Sequence, residues 1–227
     1  MSVLIANGAF AVLEPDLDDS ISVWARASGD LSSYDPRIRE LLCPLLVPGA
    51  VVVDGGAFIG DHTVPFADVV GPSGRVWAFE VYPLALDCLA YNTQDLPQVT
   101  VVAAALAERR GSVQLRLASP CASMSYVTDA ECGIPAVPLD AFTFDRLDVI
   151  KLDLEGSELR ALRGAVQQLD RHHPVVITET GCQLRRYGDC HADLVAFMAA
   201  HGYVGRELPR LHPPNIDVFD MLFQVAA

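Results

Sequence analysis

The sequence predicts an α/β fold with an open, doubly wound sheet, and two features of the chain lead to this prediction. Short apolar runs alternate along the chain with longer segments of helical periodicity. The runs are apolar on both faces, which is typical of strands in a parallel sheet that helices cover on both sides. The chain has 227 residues, of which 51% are hydrophobic, so it can form one domain with a full core and is not a disordered chain.

Five apolar runs are predicted to be strands of this sheet. They are residues 50–54, 75–80, 99–103, 147–153 and 174–179. Four segments with helical patterns separate or follow them. We expect these helices at residues 61–70, 83–94, 157–169 and 191–201. A strand that is followed by a helix and another strand predicts a right-handed crossover between parallel neighbours.

Two later regions do not follow this alternation. Residues 106–140 contain no convincing long helix, and we expect short strands there. Near the end of the sequence, residues 202–204 and 217–225 have the pattern of strands on either side of a proline-rich loop. This loop is too short for a helical crossover, so the two strands are predicted to form an antiparallel hairpin.

The part of the chain before the first core strand is predicted to form a small cap. Residues 1–33 have a β-rich pattern, and a helix is expected to begin at Asp35–Pro36 and to end at Leu46. We therefore divide the chain into a cap with its leading helix, residues 1–48, and a main domain, residues 49–227.

The charge balance argues against two classes of partner. Acidic residues outnumber basic ones by 29 to 16, which gives a formal net charge of −13 at pH 7. A surface this acidic repels nucleic acid and anionic membranes, so we expect neither as the main partner. No apolar run approaches the roughly 18 residues of a membrane span, and residues 1–13 lack the basic residues of a signal peptide. The six cysteines include no C-x-x-C pair and are predicted to be reduced thiols of a cytoplasmic protein. We leave a homo-oligomer open.

A glycine-rich turn after the first core strand predicts a site for a nucleoside cofactor. Glycines let the backbone approach a ligand closely, and the next helix offers free N–H groups at its N-terminus. Phe58 breaks the dinucleotide fingerprint, and Asp54 at the strand tip would repel a pyrophosphate but suits an ammonium group. The next strand ends in Glu80, whose carboxylate can accept hydrogen bonds from a ribose diol. Together these acids indicate S-adenosylmethionine; the alternative is that they only cap the following helices. The predicted cofactor-binding residues are Asp54, Gly56, Ala57, Phe58, Gly60 and Glu80.

Three blocks of sequence carry a family resemblance. They are residues 53–63 (VDGGAFIGDHT), residues 71–80 (GPSGRVWAFE) and a composite block of residues 139–140, 150–158 (IKLDLEGSE) and 162–165. These blocks resemble the FkbM family of class I S-adenosylmethionine-dependent methyltransferases. The resemblance implies a Rossmann-like sheet of seven strands with a reversed last strand, and methyl transfer to hydroxyl groups of sugars or secondary metabolites. The family usually has Asn where Phe58 stands and Pro where Val81 stands.

The methyl acceptor is expected at the carboxyl ends of the strands, where open α/β sheets bind ligands. A hydroxyl acceptor must lose a proton, so a base on this rim assists the reaction. We rank Asp153 first, Glu155 second and His62 third for this catalytic role, and we predict no metal site. Lys151 in the buried fourth strand is expected to pair with one of these two acids or with Glu179. Other polar residues assigned to this rim are Glu179, Arg185, Arg186, Tyr187, Arg210, His212 and Asn215.

The sequence therefore predicts an S-adenosylmethionine-dependent O-methyltransferase for a small hydroxylated molecule, with S-adenosylhomocysteine as product. Three alternatives stay open. They are N-methylation of a small molecule, a nicotinamide-dependent oxidoreductase, which the broken fingerprint disfavours, and a non-catalytic cofactor-binding subunit. The cap and two loops, residues 119–131 and 208–215, are predicted to close over the acceptor as lids.

Overall fold

The computed structural model describes residues 3–6, 9–14, 19–118, 121–210 and 217–226, with the backbone alone for residues 3–6. The strands, in chain order, are β1 (Val3–Ala6), β2 (Phe10–Leu13), β3 (Val51–Gly55), β4 (Arg75–Phe79), β5 (Val99–Val102), β6 (Ala105–Leu106), β7 (Gly111–Arg116), β8 (Tyr126–Ala130), β9 (Ile134–Val137), β10 (Val149–Leu152), β11 (Val175–Gly181), β12 (Tyr203–Glu207) and β13 (Val218–Val225). The α-helices are α1 (Ser20–Ser28), α2 (Pro36–Leu42), α3 (Thr63–Val70), α4 (Pro83–Thr93), α5 (Glu158–Arg163), α6 (Val166–His172) and α7 (His191–Ala200). Short 3₁₀ helices span Cys43–Leu45, Ala122–Met124, Leu139–Ala141 and Cys182–Tyr187.

Seven strands form the central sheet, in the order β5–β4–β3–β10–β11–β13–β12. The pairs from β5 to β11 are parallel, whereas β13 is antiparallel to both β11 and β12. The five predicted core strands and the antiparallel terminal hairpin are therefore confirmed. The strand order reverses its direction between β3 and β10. The carboxyl ends of these two strands consequently flank the crevice in which such sheets bind ligands.

Neighbouring residues of the central strands pack into two different apolar layers. Val52 packs in a layer with Phe66 of α3, while the next residue, Val53, packs in a layer with Leu162 of α5. All four side chains are completely buried. Burial on both faces is the reason why these strands show continuous apolar runs instead of polar–apolar alternation.

A second, smaller sheet occupies the region for which short strands were predicted, and that prediction is confirmed. Its order is β6–β9–β7–β8. The 119–131 segment is not the irregular loop that was expected, because residues 126–130 form β8 and pair with β7. Val127 of β8 and Val113 of β7 belong to the small apolar core of this sheet, which holds the segment in place.

The cap is less β-rich than predicted. β1 and β2 form an antiparallel hairpin, but the nine-residue helix α1 follows it. The carboxylate of Asp19 accepts a hydrogen bond from the Ser22 backbone N–H at 2.7 Å, which caps this helix. The leading helix is also shorter than predicted, since α2 ends at Leu42 and a 3₁₀ turn that contains Pro44 follows. The division proposed between residues 48 and 49 falls in the turn before β3.

The single helix predicted over residues 157–169 is in fact two helices, α5 and α6. They are separated at Gly164, where a Cβ would lie 2.0 Å from the carbonyl oxygen of Ala107. The backbone that follows β6 therefore passes against the helix end at a distance that only glycine allows. Asp140 then caps α6, because its carboxylate accepts hydrogen bonds from the backbone N–H groups of Gln167 and Gln168 at 3.1 and 3.2 Å. None of the helices in the described ranges is long and apolar enough to cross a membrane.

Candidate active site

A cavity of about 410 Å³ lies at the carboxyl ends of β3, β4, β10 and β11. Each of these strands contributes one lining residue at or near its carboxyl end. Gly56, Glu80 and Asp153 follow their strands directly, and Glu179 lies within β11, near its end. The cap contributes Ser20 and Ile21 of α1, and the 3₁₀ turn of residues 122–124 forms another part of the wall. The crevice rule thus locates the cavity correctly. Two of the predicted lids contribute to its wall, whereas most of the third, residues 211–215, lies outside the described residues.

Gly56 begins the turn after β3 and brings the two main strands of the site together. Its φ is +72°, and a Cβ at this position would lie 1.9 Å from the carbonyl oxygen of Asp153. The N–H groups of Gly56 and Ala57 both donate to the carbonyl oxygen of Phe79, each at 3.0 Å. The turn is therefore fixed against β4 on one side and against the end of β10 on the other. Any side chain at residue 56 would separate the turn from β10.

Phe58 occupies the next constrained position of this turn. Its φ of +45° lies in the left-handed region, which Asn adopts more easily than Phe. This conformation gives a physical reason for the Asn that the FkbM family usually has here. The Phe58 backbone N–H donates to Glu80 Oε2 at 2.8 Å, so the turn is tied to the end of β4 in spite of the strained residue.

Glu80 is the acceptor around which the cofactor side of the cavity is built. Its Oε1 accepts hydrogen bonds from the N–H groups of Val81 and Tyr82 at 2.6 and 2.7 Å, and its Oε2 accepts the one from Phe58. Burial raises the pKa of Glu80, while these three hydrogen bonds lower it. A carboxylate offers about four acceptor positions, so Oε2 can accept one more hydrogen bond from a ligand hydroxyl. The prediction that Glu80 contacts a ribose is compatible with this geometry.

Asp54 lies behind the cavity wall. It is completely buried and is not one of the lining residues. Its Oδ2 accepts a hydrogen bond from Thr63 Oγ1 at 2.6 Å, and its Oδ1 lies 3.1 Å from Lys151 Nζ. The expectation that Lys151 pairs with an acid after the fourth or fifth core strand is therefore wrong. Since Lys151 neutralises Asp54 inside the protein, Asp54 does not offer an open charge to an ammonium group.

Asp61 is the acid that faces the cavity near the N-terminus of α3. Only 6% of this residue is exposed, and burial raises its pKa to about 7, against the lowering effect of Lys151. His62 Nε2 lies 3.6 Å from Asp61 Oδ2. Burial and Lys151 lower the pKa of His62 to about 4, so His62 is neutral at pH 7 and is a weak base. His62 lines the cavity but does not suit the catalytic role predicted for it.

Three carboxylates converge at the other end of the cavity. Asp153, Glu155 and Glu179 each have an oxygen within 4.8 Å of an oxygen of the other two. Burial, followed by the charge of Asp153, raises the pKa of Glu155 to about 8. The same two causes, in the same order, raise the pKa of Glu179 well above its usual value. The sequence analysis assigned all three acids to this rim, and the structure shows that they form one group.

A further buried acid, Glu158, stabilises the turn that carries Asp153 and Glu155. Glu158, which is 1% exposed, accepts hydrogen bonds at Oε1 from the N–H groups of Leu154 and Gly156, at 2.8 and 3.1 Å. Glu155 has a positive φ of +54°, a conformation that this support maintains. Arg186 Nη1 lies 3.5 Å from Glu155 Oε2, and Gln183 donates to Glu179 Oε2 at 2.8 Å. The three converging acids thus have few partners of their own.

The spacing of these three acids also suits a divalent cation, although the sequence predicts no metal site. Carboxylates are the usual ligands of Mg²⁺ and Ca²⁺, but exposed acidic groups are common without a metal. Arg186 already compensates part of the charge of Glu155. A chelator experiment separates the two possibilities.

Comparison with protein families assigns the chain. The family described as the methyltransferase FkbM domain matches residues 54–204, which is most of the sequence and includes the glycine turn and the acid-bearing strand ends. The chain belongs to this family. The matched region contains Glu80, Asp153 and Glu179 of the cavity wall, whereas Ser20, Ile21 and Asp220, which also line the cavity, lie outside it.

Solved structures with the same fold support the architecture of this FkbM methyltransferase. A methyltransferase FkbM from Methylobacillus flagellatus KT is 21% identical with a TM-score of 0.52, over 79% of this chain and 44% of that chain. An O-methyltransferase from Bacillus cereus, in complex with SAH, is 16% identical with a TM-score of 0.56, over 94% and 92% of the two chains. A putative rRNA-methylase from Clostridium thermocellum is 12% identical with a TM-score of 0.58, over 83% and 95%.

These neighbours show the fold alone, because all are less than 25% identical. The FkbM methyltransferase chain described here spans less than half the length of the Methylobacillus protein. No curated protein matches its sequence.

The remaining predicted residues of this FkbM methyltransferase have supporting positions. Ala57 and Gly60 do not line the cavity; the Gly60 N–H donates to the Ala57 carbonyl at 2.8 Å and closes the glycine turn. His212 and Asn215 lie outside the described residues. Asp61 and Asp220, which line the cavity, were missed by the sequence analysis. Asp61 stands inside the family block and could have been found there, whereas Asp220 lies in the middle of β13 and carries no sequence signal.

Proposed function

We propose that this FkbM-domain protein uses S-adenosylmethionine to methylate a hydroxyl group of a small molecule, such as a sugar or a secondary metabolite. Family membership supports the reaction class and argues against the nicotinamide-dependent alternative. The fold neighbour from Bacillus cereus, an O-methyltransferase in complex with SAH, supports the cofactor. The acidic cavity and the net charge of −13 support a small-molecule acceptor rather than a nucleic acid.

The wall of the cavity fits a nucleoside that carries an amino-acid tail. Glu80 Oε2 has acceptor capacity left for a ribose hydroxyl, and Asp61 offers a carboxylate to an ammonium group at the start of α3. The backbone around Gly56 and Phe58 is fixed before any ligand enters, so these groups are preorganised. When bound, S-adenosylmethionine would supply an electrophilic methyl group on a sulfonium.

The observation that carries the O-methylation proposal is the convergence of Asp153, Glu155 and Glu179 at the acceptor end, where their oxygens lie within 4.8 Å of one another. A hydroxyl acceptor must give up a proton, and a base is most effective when its pKa lies near the working pH. Burial raises the pKa of Glu155 to about 8, and a positive charge bound nearby lowers it again toward neutrality. We assign proton acceptance to Glu155 and orientation of the acceptor to Asp153. This order differs from the sequence-based ranking because Glu155 is the more buried of the two.

Two measurements test this function. Isothermal titration calorimetry should detect binding of S-adenosylhomocysteine and no binding of NAD. A panel of hydroxylated sugars and metabolites should then be incubated with S-adenosylmethionine, and a mass gain of one methyl group should appear in at least one of them. Glu155→Gln should abolish most of this gain, while the surface variant Glu108→Gln should keep it. Cofactor binding without any methyl gain would favour the non-catalytic subunit.

A second candidate is N-methylation of an amine, and one observation favours it. Among the described residues, carboxylates outnumber guanidinium groups along the acceptor end. Asp153, Glu155, Glu179 and Asp220 line it, and the guanidinium groups near them are those of Arg37 and Arg186. Such a wall attracts a protonated amine. Fragmentation of the methylated product distinguishes a methyl ether from a methylamine. The bound ammonium group must first lose a proton to solvent or to a carboxylate, but it is far more acidic than an alcohol, so Glu155→Gln should slow O-methylation much more than N-methylation.

A further inference from the structure

Lys151 is a charged residue in an otherwise apolar buried strand. Its neighbours in β10 are Val149, Ile150 and Leu152, and it is itself 5% exposed. In the register of the sheet it stands directly opposite Asp54 of β3. Its ammonium group lies 3.1 Å from Asp54 Oδ1, which makes a buried ion pair. Burial, the largest single effect, lowers the pKa of Lys151, but the charges of Asp54, Asp153 and Asp61 together outweigh burial and raise the pKa, so the residue is charged at neutral pH.

Stability of the fold does not explain this ion pair. The desolvation of two buried charges costs most of the free energy that their attraction gains. A protein in which apolar residues of similar volume replace such a pair is often equally stable or more stable. A leucine or methionine would continue the apolar pattern of β10. The pair therefore requires a reason other than packing, and the second contact of the Lys151 ammonium provides one.

That second contact is with the cofactor turn. Lys151 Nζ donates to the carbonyl oxygen of Gly56 at 3.0 Å. The other end of the same peptide unit is the N–H of Ala57, which donates to the carbonyl oxygen of Phe79 at 3.0 Å, so the Gly56–Ala57 peptide is held on both sides. From this peptide the chain continues to Phe58, whose N–H binds Glu80. The direction of the Gly56 carbonyl consequently determines whether Phe58 and Glu80 can meet.

We propose that Lys151 is a positioning residue for the cofactor: by holding the Gly56 carbonyl, it sets the glycine turn in its ligand-binding conformation. Asp54 keeps the ammonium group in place, and Thr63 in turn anchors Asp54 to α3. This network joins β10, β3, the turn and the first helix of the main domain. The inference rests on the proposed cofactor and adds a role for Lys151 that acts through the backbone of the glycine turn.

The test removes the contact without leaving a buried charge. Lys151→Met alone would leave Asp54 buried and unpaired, which strongly destabilises a protein. The double variant Lys151→Met/Asp54→Asn has no charge at either position. The amide oxygen introduced by Asp54→Asn can still accept the hydrogen bond from Thr63. The matched control is Asp148→Asn. Asp148 joins the same two strands at the opposite rim, where its Oδ2 accepts a hydrogen bond from the Val51 N–H at 2.8 Å.

Binding of S-adenosylhomocysteine is measured by calorimetry for the wild type and both variants, and folding by thermal denaturation. We expect the double variant to melt within ~5 °C of the control and to bind about 10- to 100-fold more weakly, the effect of losing one charge-assisted hydrogen bond. Asp148→Asn should bind as the wild type does. If the methionine variant does not fold, Lys151→Leu/Asp54→Asn replaces it under the same criteria.

Two results would overturn the inference. One is wild-type affinity in the folded double variant, which would mean that the turn does not depend on Lys151. The other is an equal loss of affinity in Asp148→Asn, which would make the contact a general strand tie. A wild type that does not bind S-adenosylhomocysteine would overturn the proposed cofactor itself, and the inference with it.

Discussion

Replacement of Glu80 by Gln is the sharpest test of the cofactor side of the cavity. The substitution keeps the shape of the side chain and one acceptor oxygen. That oxygen can still accept hydrogen bonds from Val81 and Tyr82, which in the wild type bind Oε1 at 2.6 and 2.7 Å. The amide NH₂ then takes the position of Oε2 and faces the Phe58 N–H, so two donors meet where a hydrogen bond was.

The expected magnitude follows from this geometry. The Phe58 hydrogen bond, at 2.8 Å to a carboxylate, is of the charge-assisted kind, whose loss costs about 1.5–3 kcal/mol. Since each 1.4 kcal/mol is a factor of ten, S-adenosylhomocysteine should bind roughly 10- to 100-fold more weakly. Binding weakens for two reasons: the turn is no longer held in its ligand-binding conformation, and the acceptor position of Oε2 is no longer available to the ligand. Complete truncation, Glu80→Ala, should cost more, because it leaves three backbone N–H groups without their acceptor.

Calorimetric titration with S-adenosylhomocysteine measures the effect, and circular dichroism shows whether the fold is retained. The matched control is Glu108→Gln, because Glu108 forms an exposed ion pair with Arg109 at 2.9 Å and such pairs contribute little. Our account of the site is refuted if folded Glu80→Gln binds the ligand within about threefold of the control, well below the range of a lost charge-assisted hydrogen bond.

Three further outcomes are expected. Glu155→Gln should lower methyl transfer by about 10²- to 10⁴-fold at nearly unchanged S-adenosylhomocysteine affinity, and Asp153→Asn should lower it less; single-turnover rates that are equal in wild type and Glu155→Gln would contradict the assigned base. The cofactor-free protein should lose thermal stability as the pH rises from 6.5 to 9, because burial raises the pKa of Glu155 to about 8 and those of Asp61 and Glu158 to about 7. The folded state then binds more protons than the unfolded state, and this stabilisation is lost as the pH passes these values; a melting temperature that is constant or rises would disagree. Treatment with EDTA should leave the methyl-transfer rate unchanged, and a loss that Mg²⁺ restores would establish a metal at the three carboxylates.

The fold could be predicted from the sequence wherever a short segment determines its own environment. Val52 and Val53 are buried on opposite faces, so the run that contains them is apolar throughout and indicates a central strand. The break at Gly164 could not be predicted, because it depends on the Ala107 backbone, which is distant in sequence. The same holds for α1, because its buried Ala25 belongs to an apolar cluster that includes Phe58 and Tyr82 of the main domain.

The sequence predicts that the site lies at the strand ends, but it does not predict in which direction each side chain points. Glu80 and Asp153 follow strands and line the cavity, as the crevice rule requires. Asp54 also ends a strand run, yet it points into the protein because Lys151, from a strand much later in the chain, stands opposite it. A partner so distant in sequence leaves no local pattern, so the sequence could not show that Asp61 lines the cavity near α3 while Asp54 does not.

The hydrogen-bond partners of each carboxylate show whether it maintains the structure or remains available for chemistry. Glu158 uses one oxygen for two backbone N–H groups, and Glu80 accepts three, so each holds a turn in place. Glu155 and Glu179 have only the side chains of Arg186 and Gln183 as close polar partners in the described part of the chain. Burial without such compensation raises a carboxyl pKa, and it does so at the acceptor end of the cavity, where a hydroxyl would need a base. The assignment of Glu155 as that base therefore rests on the same contacts that show why Glu158, three residues later and more deeply buried, cannot take the role.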